Sequence, residues 1–126
     1  MHKDDNVIRI ASGFDCHAST ELAALEGTKI LIGKDALFSA NINFRTGDSH
    51  IVLDAATGDR TNKSRDIIIG DHVWVGNHVF VLKGANIGDN SIIAIGAVVP
   101  GKDYPANCIL GGNPARVIKG NTNWRR

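Results

Sequence analysis

Ile69, Val75, Val81, Ile87, Ile93 and Val99 fall six residues apart, and each is a branched aliphatic. Apolar residues make up 43% of the chain, so composition alone would fill six such places in a given frame in ~0.6% of cases. The places around them follow suit. One residue later come Gly70, Gly76, Gly88 and Ala94, with Leu82 as the exception, and four residues later come Val73, Val79, Ala85, Ser91 and Ala97. Upstream, the same beat passes through Ile8, Phe14, Ile32, Phe38 and Phe44. Thr20 and Glu26 break the apolar series there, while Ser12, Ala18, Ala24 and Ala36 keep the small one. Phe44 and Ile69 are 25 residues apart, which is not a multiple of six. An insertion must lie between them, and the polar stretch at residues 45–66, "RTGDSHIVLDAATGDRTNKSRD", is its place.

A period of six cannot describe an amphipathic helix, because 3.6 residues per turn would carry the aliphatic around the axis. Three six-residue units per turn instead give a triangular coil whose sides are short strands of β-branched residues. Its corners need left-handed backbone angles, which Gly adopts freely and Asn, Asp and His more readily than most. "GDHV", "GNHV" and "GDNS" supply those residues. Side chains about 18 residues apart, such as Ile69 and Ile87, then stack in successive turns. The pattern predicts an all-β chain, a parallel β-helix with one protruding loop at about 45–66 and a short C-terminal tail.

The length of 126 residues fits a single domain covering 1–126. With 14 basic and 13 acidic residues the charge is +1, so no electrostatic case exists for nucleic acid, and Trp124-Arg125-Arg126 reads as only a short basic end. No apolar run approaches the ~18 to 20 residues of a membrane span, and "MHKDDNVIRI" lacks the apolar core of a secretory signal, so the cytoplasm is the expected compartment. Cys16 and Cys108 then read as small buried hydrophobes. His72 and His78 sit at the fourth place of adjacent repeats, hence at successive corners facing different ways, which argues against a shared metal.

"IIIGDHVWVGNHVFVLKGANIGDNSIIAIGAVV", followed by "GGNPARVIKG" and preceded by the "RTGDSH" loop, resembles the hexapeptide-repeat acyltransferases, and within them the sugar and polysaccharide O-acetyltransferases. The resemblance implies a single-stranded left-handed parallel β-helix. It also implies a homotrimer with sites between subunits, and transfer of acetyl from acetyl-CoA to a saccharide hydroxyl in a ternary complex without an acyl-enzyme. His50 matches the family's general base, a role that imidazole suits near neutral pH. Asp48 and Ser49 would orient that ring, line the pocket, or merely shape the loop turn. Trp74 would flank the acceptor. Asn77, Ile95 and Gly96 would line the pantetheine arm, Lys102 would sit near the phosphates, and Arg116 and Lys119 near the pyrophosphate or 3'-phosphate. "VVPGKD" departs from the family pattern around Lys102 by an inserted residue. No metal is expected. The competing readings are an N-acetyltransferase on an amino sugar, a zinc carbonic anhydrase-like trimer, and a non-catalytic scaffold; no regular Thr ladder of the ice-binding kind is present.

Overall fold

The computed structural model describes residues 5–126, and these residues form strands and no helix. In chain order the strands are β1 (Val7–Ile10), β2 (Asp15–Cys16), β3 (Thr20–Ala23), β4 (Lys29–Ile32), β5 (Leu37–Phe38), β6 (Ile42–Arg45), β7 (Ile67–Ile69), β8 (Trp74–Val75), β9 (Phe80–Leu82), β10 (Asn86–Ile87), β11 (Ile92–Ile93), β12 (Val98–Val99), β13 (Asp103–Tyr104), β14 (Ile109–Gly112) and β15 (Ala115–Lys119). Every third strand lies on the same wall. The first wall is β1-β4-β7-β10-β13, the second β2-β5-β8-β11-β14 and the third β3-β6-β9-β12, with parallel pairing throughout. β15 turns back and pairs antiparallel with β14.

The beat of six is the inside of this prism. Ile32, Phe38, Phe44, Ile69, Val75, Val81, Ile87, Ile93 and Val99 are buried, one from each wall in turn. Ala36, Val73, Val79, Ala85, Ser91 and Ala97 fill the insides of the corners. Each large side chain in this column contributes ~1.5–3 kcal/mol on leaving water. At the corners Asp35, Asn41, His72, His78, Asn90 and Asn107 adopt positive φ, as the sequence pattern requires. At the corners of His72, His78 and Asn90 the acidic or amide residue just before the turn fastens adjacent coils. Asp71 Oδ1 accepts from the Lys34 N–H at 2.8 Å, Asp89 Oδ1 from the Asp71 N–H at 2.7 Å, and Asn77 Oδ1 from the Ala40 N–H at 2.8 Å. Glycines make room for the carboxylate of the next coil: a Cβ on Gly33 would collide with Asp71, and one on Gly70 with Asp89.

The first coil does not follow the frame expected from Ile8 and Phe14. Ile10 pairs with Ile32, Cys16 with Phe38 and Leu22 with Phe44, each 22 residues apart, while Ile8 pairs with Ile30; both Ile8 and Ile10 are exposed at the open end of the column. Four extra residues are taken up at the corner around Leu25 and Thr28, which moves the inward series two places along. There Glu26 is a corner residue with φ 55°, so it never had to face inward. The final coil is one residue short: Ile87 pairs with Tyr104 and Ile93 with Leu110, each 17 apart. The tightening falls in "VVPGKD", which against the beat of six loses a residue where an inserted one was expected. Cys16 and Cys108 are free thiols, Cys108 buried and Cys16 partly so.

The tail is more than a basic end. It runs down the edge between the first and second walls, fastening coil after coil. The Thr122 N–H donates to Asn107 O at 2.8 Å, Trp124 Nε1–H to His72 O at 2.8 Å, and Arg126 Nη1 binds Asp35 Oδ1 at 2.5 Å. The Trp124 ring lies flat on His72, 3.8 Å between centroids with 3° between planes.

Ile87→Ala, which opens a cavity in the column, lowers unfolding free energy by ~2–5 kcal/mol in chemical denaturation. Ile68→Thr, one wall position away but 40% exposed, changes it by no more than ~0.5 kcal/mol. Equal costs at the two positions would contradict the inward frame.

Candidate active site

The break in the beat becomes an arm at the edge between the third and first walls. It leaves after Arg45 and returns at Ile67. The Arg65 N–H donates to Thr46 O at 2.9 Å and closes its base. Beyond the base it is a hairpin with a bridge between Leu53 and Arg60, reinforced by the Thr61 N–H to Val52 O and the Asp54 N–H to Asp59 O. Arg60 grips Glu26 with two nitrogens at 2.8 and 3.0 Å, and the Ser64 hydroxyl donates to the same carboxylate.

His50 sits where the hairpin rises, and its ring is exposed. Among the described residues no group hydrogen-bonds to that ring, so it is open to a proton donor. Its backbone, by contrast, is held. Asn62, a buried amide within an otherwise exposed arm, donates to His50 O at 2.7 Å and to Asp48 Oδ2 at 3.0 Å, and its Oδ1 accepts from the Val52 N–H at 2.8 Å and Arg60 Nε at 3.1 Å. All four capacities of the side chain are used, so Asn62 fixes the path of the chain through His50. Nothing in the sequence distinguished it from the other polar residues of the loop.

Asp48 does not bond to the His50 ring. Its carboxylate meets Lys83 Nζ at 2.8 Å, and that ammonium, then the Asn62 amide, hold it below the usual carboxylate range. Ser49 has φ 68° and its hydroxyl accepts from Arg45 Nη2 at 2.7 Å, a turn-shaping role. Above the arm on the same edge follow Lys83 and then Lys102, with the Arg65 guanidinium packed where a Cβ on Gly84 would be. Lys102 Nζ lies 5.6 Å from the Tyr104 ring centroid. This column of cations was only partly legible, through Lys102.

The other predicted residues lie elsewhere on the prism. Asn77, Ile95 and Gly96 share the edge between the second and third walls, where Ile95 is 69% exposed and the Gly96 N–H donates to Asn77 O at 2.8 Å. The Asn77 side-chain oxygen is taken up by the Ala40 N–H. Arg116 and Lys119 are exposed on β15, at the rim of the second wall. Trp74, 37% exposed, stands on the second wall between Leu37 and Ile92, and so across the prism from the edge that carries His50. Within one chain the structure therefore brings His50, Asp48, Ser49 and Lys102 to one edge, and leaves Trp74 and the remaining residues on the second wall and its borders. A polar cleft of about 390 Å³ opens beside the third wall, lined by Ser19, Thr20, Glu21, Asn41, Ile42 and Asn43. β6 leads from that cleft to the base of the arm in four residues, roughly 13 Å of extended chain. Among the described residues no three His, Cys, Asp or Glu side chains gather as a metal site.

No family model matches the chain. Curated relatives do. The polysialic acid O-acetyltransferase of Escherichia coli O1:K1 is 39% identical over 97 residues, 77% of this chain and 31% of that protein. The galactoside O-acetyltransferase of Escherichia coli strain K12 is 34% identical over 107 residues, 85% of this chain and 52% of that protein. A crystal structure of a polysialic acid-specific acetyltransferase superposes on 98% of this chain and 65% of its own, with a TM-score of 0.81 and 30% identity. This chain is a left-handed hexapeptide-repeat β-helix that resembles the sugar O-acetyltransferases. The chain spans about half the length, or less, of the curated relatives named here. The resemblance extends to a second polysialic acid O-acetyltransferase structure, again at TM-score 0.81, with 32% identity over 97% of this chain and 57% of that one.

The arm has an acid limit. Bonds from Arg60 and then Ser64 lower the Glu26 pKa from 4.5 to about 2. A depressed folded-state pKa means the clamp contributes fully above about 4.5 and is lost as pH falls toward about 2. Amide hydrogen exchange in residues 52–62, corrected for intrinsic rates, is expected to speed up across that window, and Glu26→Gln should show the faster exchange already at pH 7. Unchanged protection in the variant would mean that the clamp does not hold the arm.

Proposed function

We propose that the chain forms the catalytic β-helix of an acetyl-CoA-dependent O-acetyltransferase acting on a saccharide hydroxyl. The observation that carries this reading is a histidine with a braced backbone and an unengaged ring, on the one long interruption of a β-helix that matches polysialic acid O-acetyltransferases at a TM-score of 0.81. In the proposed reaction His50 takes the proton of the acceptor hydroxyl as that oxygen attacks the thioester carbonyl. The tetrahedral centre then collapses, the C–S bond breaks, and the imidazolium returns its proton to the departing coenzyme A thiolate. Attack is direct, with both substrates bound and no acyl-enzyme.

For the acyl donor, the cations Arg65, Lys83 and Lys102 rise from His50 along one edge and suit a phosphorylated cofactor. Arg116 and Lys119 offer further charge at the rim. Asn77, Ile95 and Gly96, with an exposed aliphatic and backbone groups, suit the pantetheine arm. These two sets lie on different edges, so one donor molecule reaches both only in a seam between two copies.

Two apolar surfaces favour such a seam. The arm exposes Ile51, Val52 and Leu53 in succession, and the second wall presents the outward ladder Leu37, Trp74, Ile92 and Ile109. A contact of unlike surfaces, arm against second wall, generates a ring when the rotation closes, and we propose a homotrimer. The same contact would carry Trp74 of one copy toward His50 of the next, with the polar cleft at Glu21 and Asn43 as the approach for the acceptor.

His50→Ala is expected to lower transfer at least about a hundredfold while coenzyme A binding by calorimetry persists. Transfer close to that of the parent would remove His50 as the base. Running the parent chain against paired hydroxyl and amine acceptors separates O- from N-acetylation.

A further inference from the structure

Trp74 and Trp124 are the two tryptophans of the chain, far apart in sequence and adjacent in space. Their ring centroids are 6.0 Å apart with 53° between planes, so the rings form an open corner. Trp74 projects from the second wall and makes one long bond, Nε1–H to Ser39 Oγ at 3.4 Å. Trp124 is held far more tightly. One face lies against His72, its Nε1–H donates to His72 O, and its own carbonyl accepts from His72 Nε2 at 2.8 Å. The other nitrogen of that histidine meets Asp35 Oδ2 at 2.6 Å, and Arg126 binds the second oxygen of Asp35. Arg126 also lies 3.9 Å from Asp15 and 5.7 Å from the centre of the Trp124 ring.

Fastening a tail to an edge does not require an indole. The Asp35–Arg126 pair, the Thr122 bond and the bond from His72 Nε2 to the backbone carbonyl of residue 124 hold the tail alongside the indole's own bond. What the indole adds is a rigid aromatic wall standing beside the exposed face of Trp74, and a rigid wall loses little entropy when a ligand settles against it. Pyranose rings carry a face of C–H groups that packs on indoles, ringed by hydroxyls that need polar partners. Ser39 provides such a partner beside Trp74, and Arg126, whose guanidinium stands over the Trp124 ring, provides a second.

We propose that Trp124, set by the His72–Asp35–Arg126 latch, is an acceptor-positioning residue that forms with Trp74 a two-walled aromatic cleft for a sugar ring. This rests on the saccharide reading above and extends it to a residue of the tail. The cleft decides how firmly the acceptor is held, not the chemical step.

The test uses the intact chain with galactose-terminated and sialic acid-terminated oligosaccharides as probes. Trp124→Ala is expected to raise the acceptor KM about tenfold, while the KM for acetyl-CoA and its slow hydrolysis without acceptor stay within about twofold. Trp124→Phe, which keeps an aromatic wall, should recover most of the loss. An acceptor KM within about twofold of the parent for Trp124→Ala overturns the proposal and leaves the transferase reading standing. Should Trp124→Ala fail to fold, Trp74→Phe leaves Trp124 as the sole tryptophan, and its emission is followed as either saccharide is added. A saturable shift supports the cleft, and no shift with either probe overturns it. A shift in the variant, with a parent chain that transfers acetyl to neither saccharide, supports the cleft and counts against the transferase reading.

Discussion

Each coil has to return above the one below it, because the buried column and the parallel backbone ladders both depend on register: Ile32 beneath Ile69, Ile69 beneath Ile87, Phe44 beneath Val81. A strand shifted by one residue would turn its aliphatic to solvent and bring a polar side chain inside. Added residues can therefore leave only at a corner. The chain does this twice, with a small excess around Glu26 and a large one after Arg45, and the small corner anchors the large arm through the Arg60–Glu26 pair. The rigidity of the column is thus passed to the arm, and Asn62 passes it on to His50.

The same constraint explains why one copy of the chain leaves its candidate residues apart. A prism with flat walls and an interior filled by its own buried side chains leaves its edges as the place where chemistry is assembled. Those edges are fixed by the fold: His50 and the cations on one, Asn77 and Ile95 on another, Trp74 and Trp124 beside the third. Two prisms set side by side can bring two edges together where one cannot. The apolar tip of the arm and the apolar ladder of the second wall are the surfaces through which the proposed ring would do so.

Much of this was legible in the residues because the period of six is itself the geometry. The buried aliphatics, the corner residues and the site of the insertion all follow from it. The first coil was misread because Ile8 and Phe14 also lie on multiples of six from Ile32. Only the backbone pairing reveals that four residues are absorbed at a corner. The latch of the tail was invisible for a different reason: Trp124, His72 and Asp35 belong to no repeat in common, and nothing in the spacing joins them. Asn62 was missed because burial of a lone amide in a polar loop leaves no trace in the pattern. Asp48, whose acidity suggested a partner for His50, instead found Lys83, which the arm meets only once folded.

The central claim is that the catalytic edge of one copy works with the second wall of another, and mixing inactive chains tests it most directly. His50→Ala and Trp74→Ala chains, each impaired alone, are unfolded and refolded together in equal amounts. If each site draws His50 from one copy and Trp74 from its neighbour, random assembly leaves about a quarter of the sites intact, and activity should rise to about that share of the parent. Activity that stays at the average of the two variants would contradict a site shared between copies.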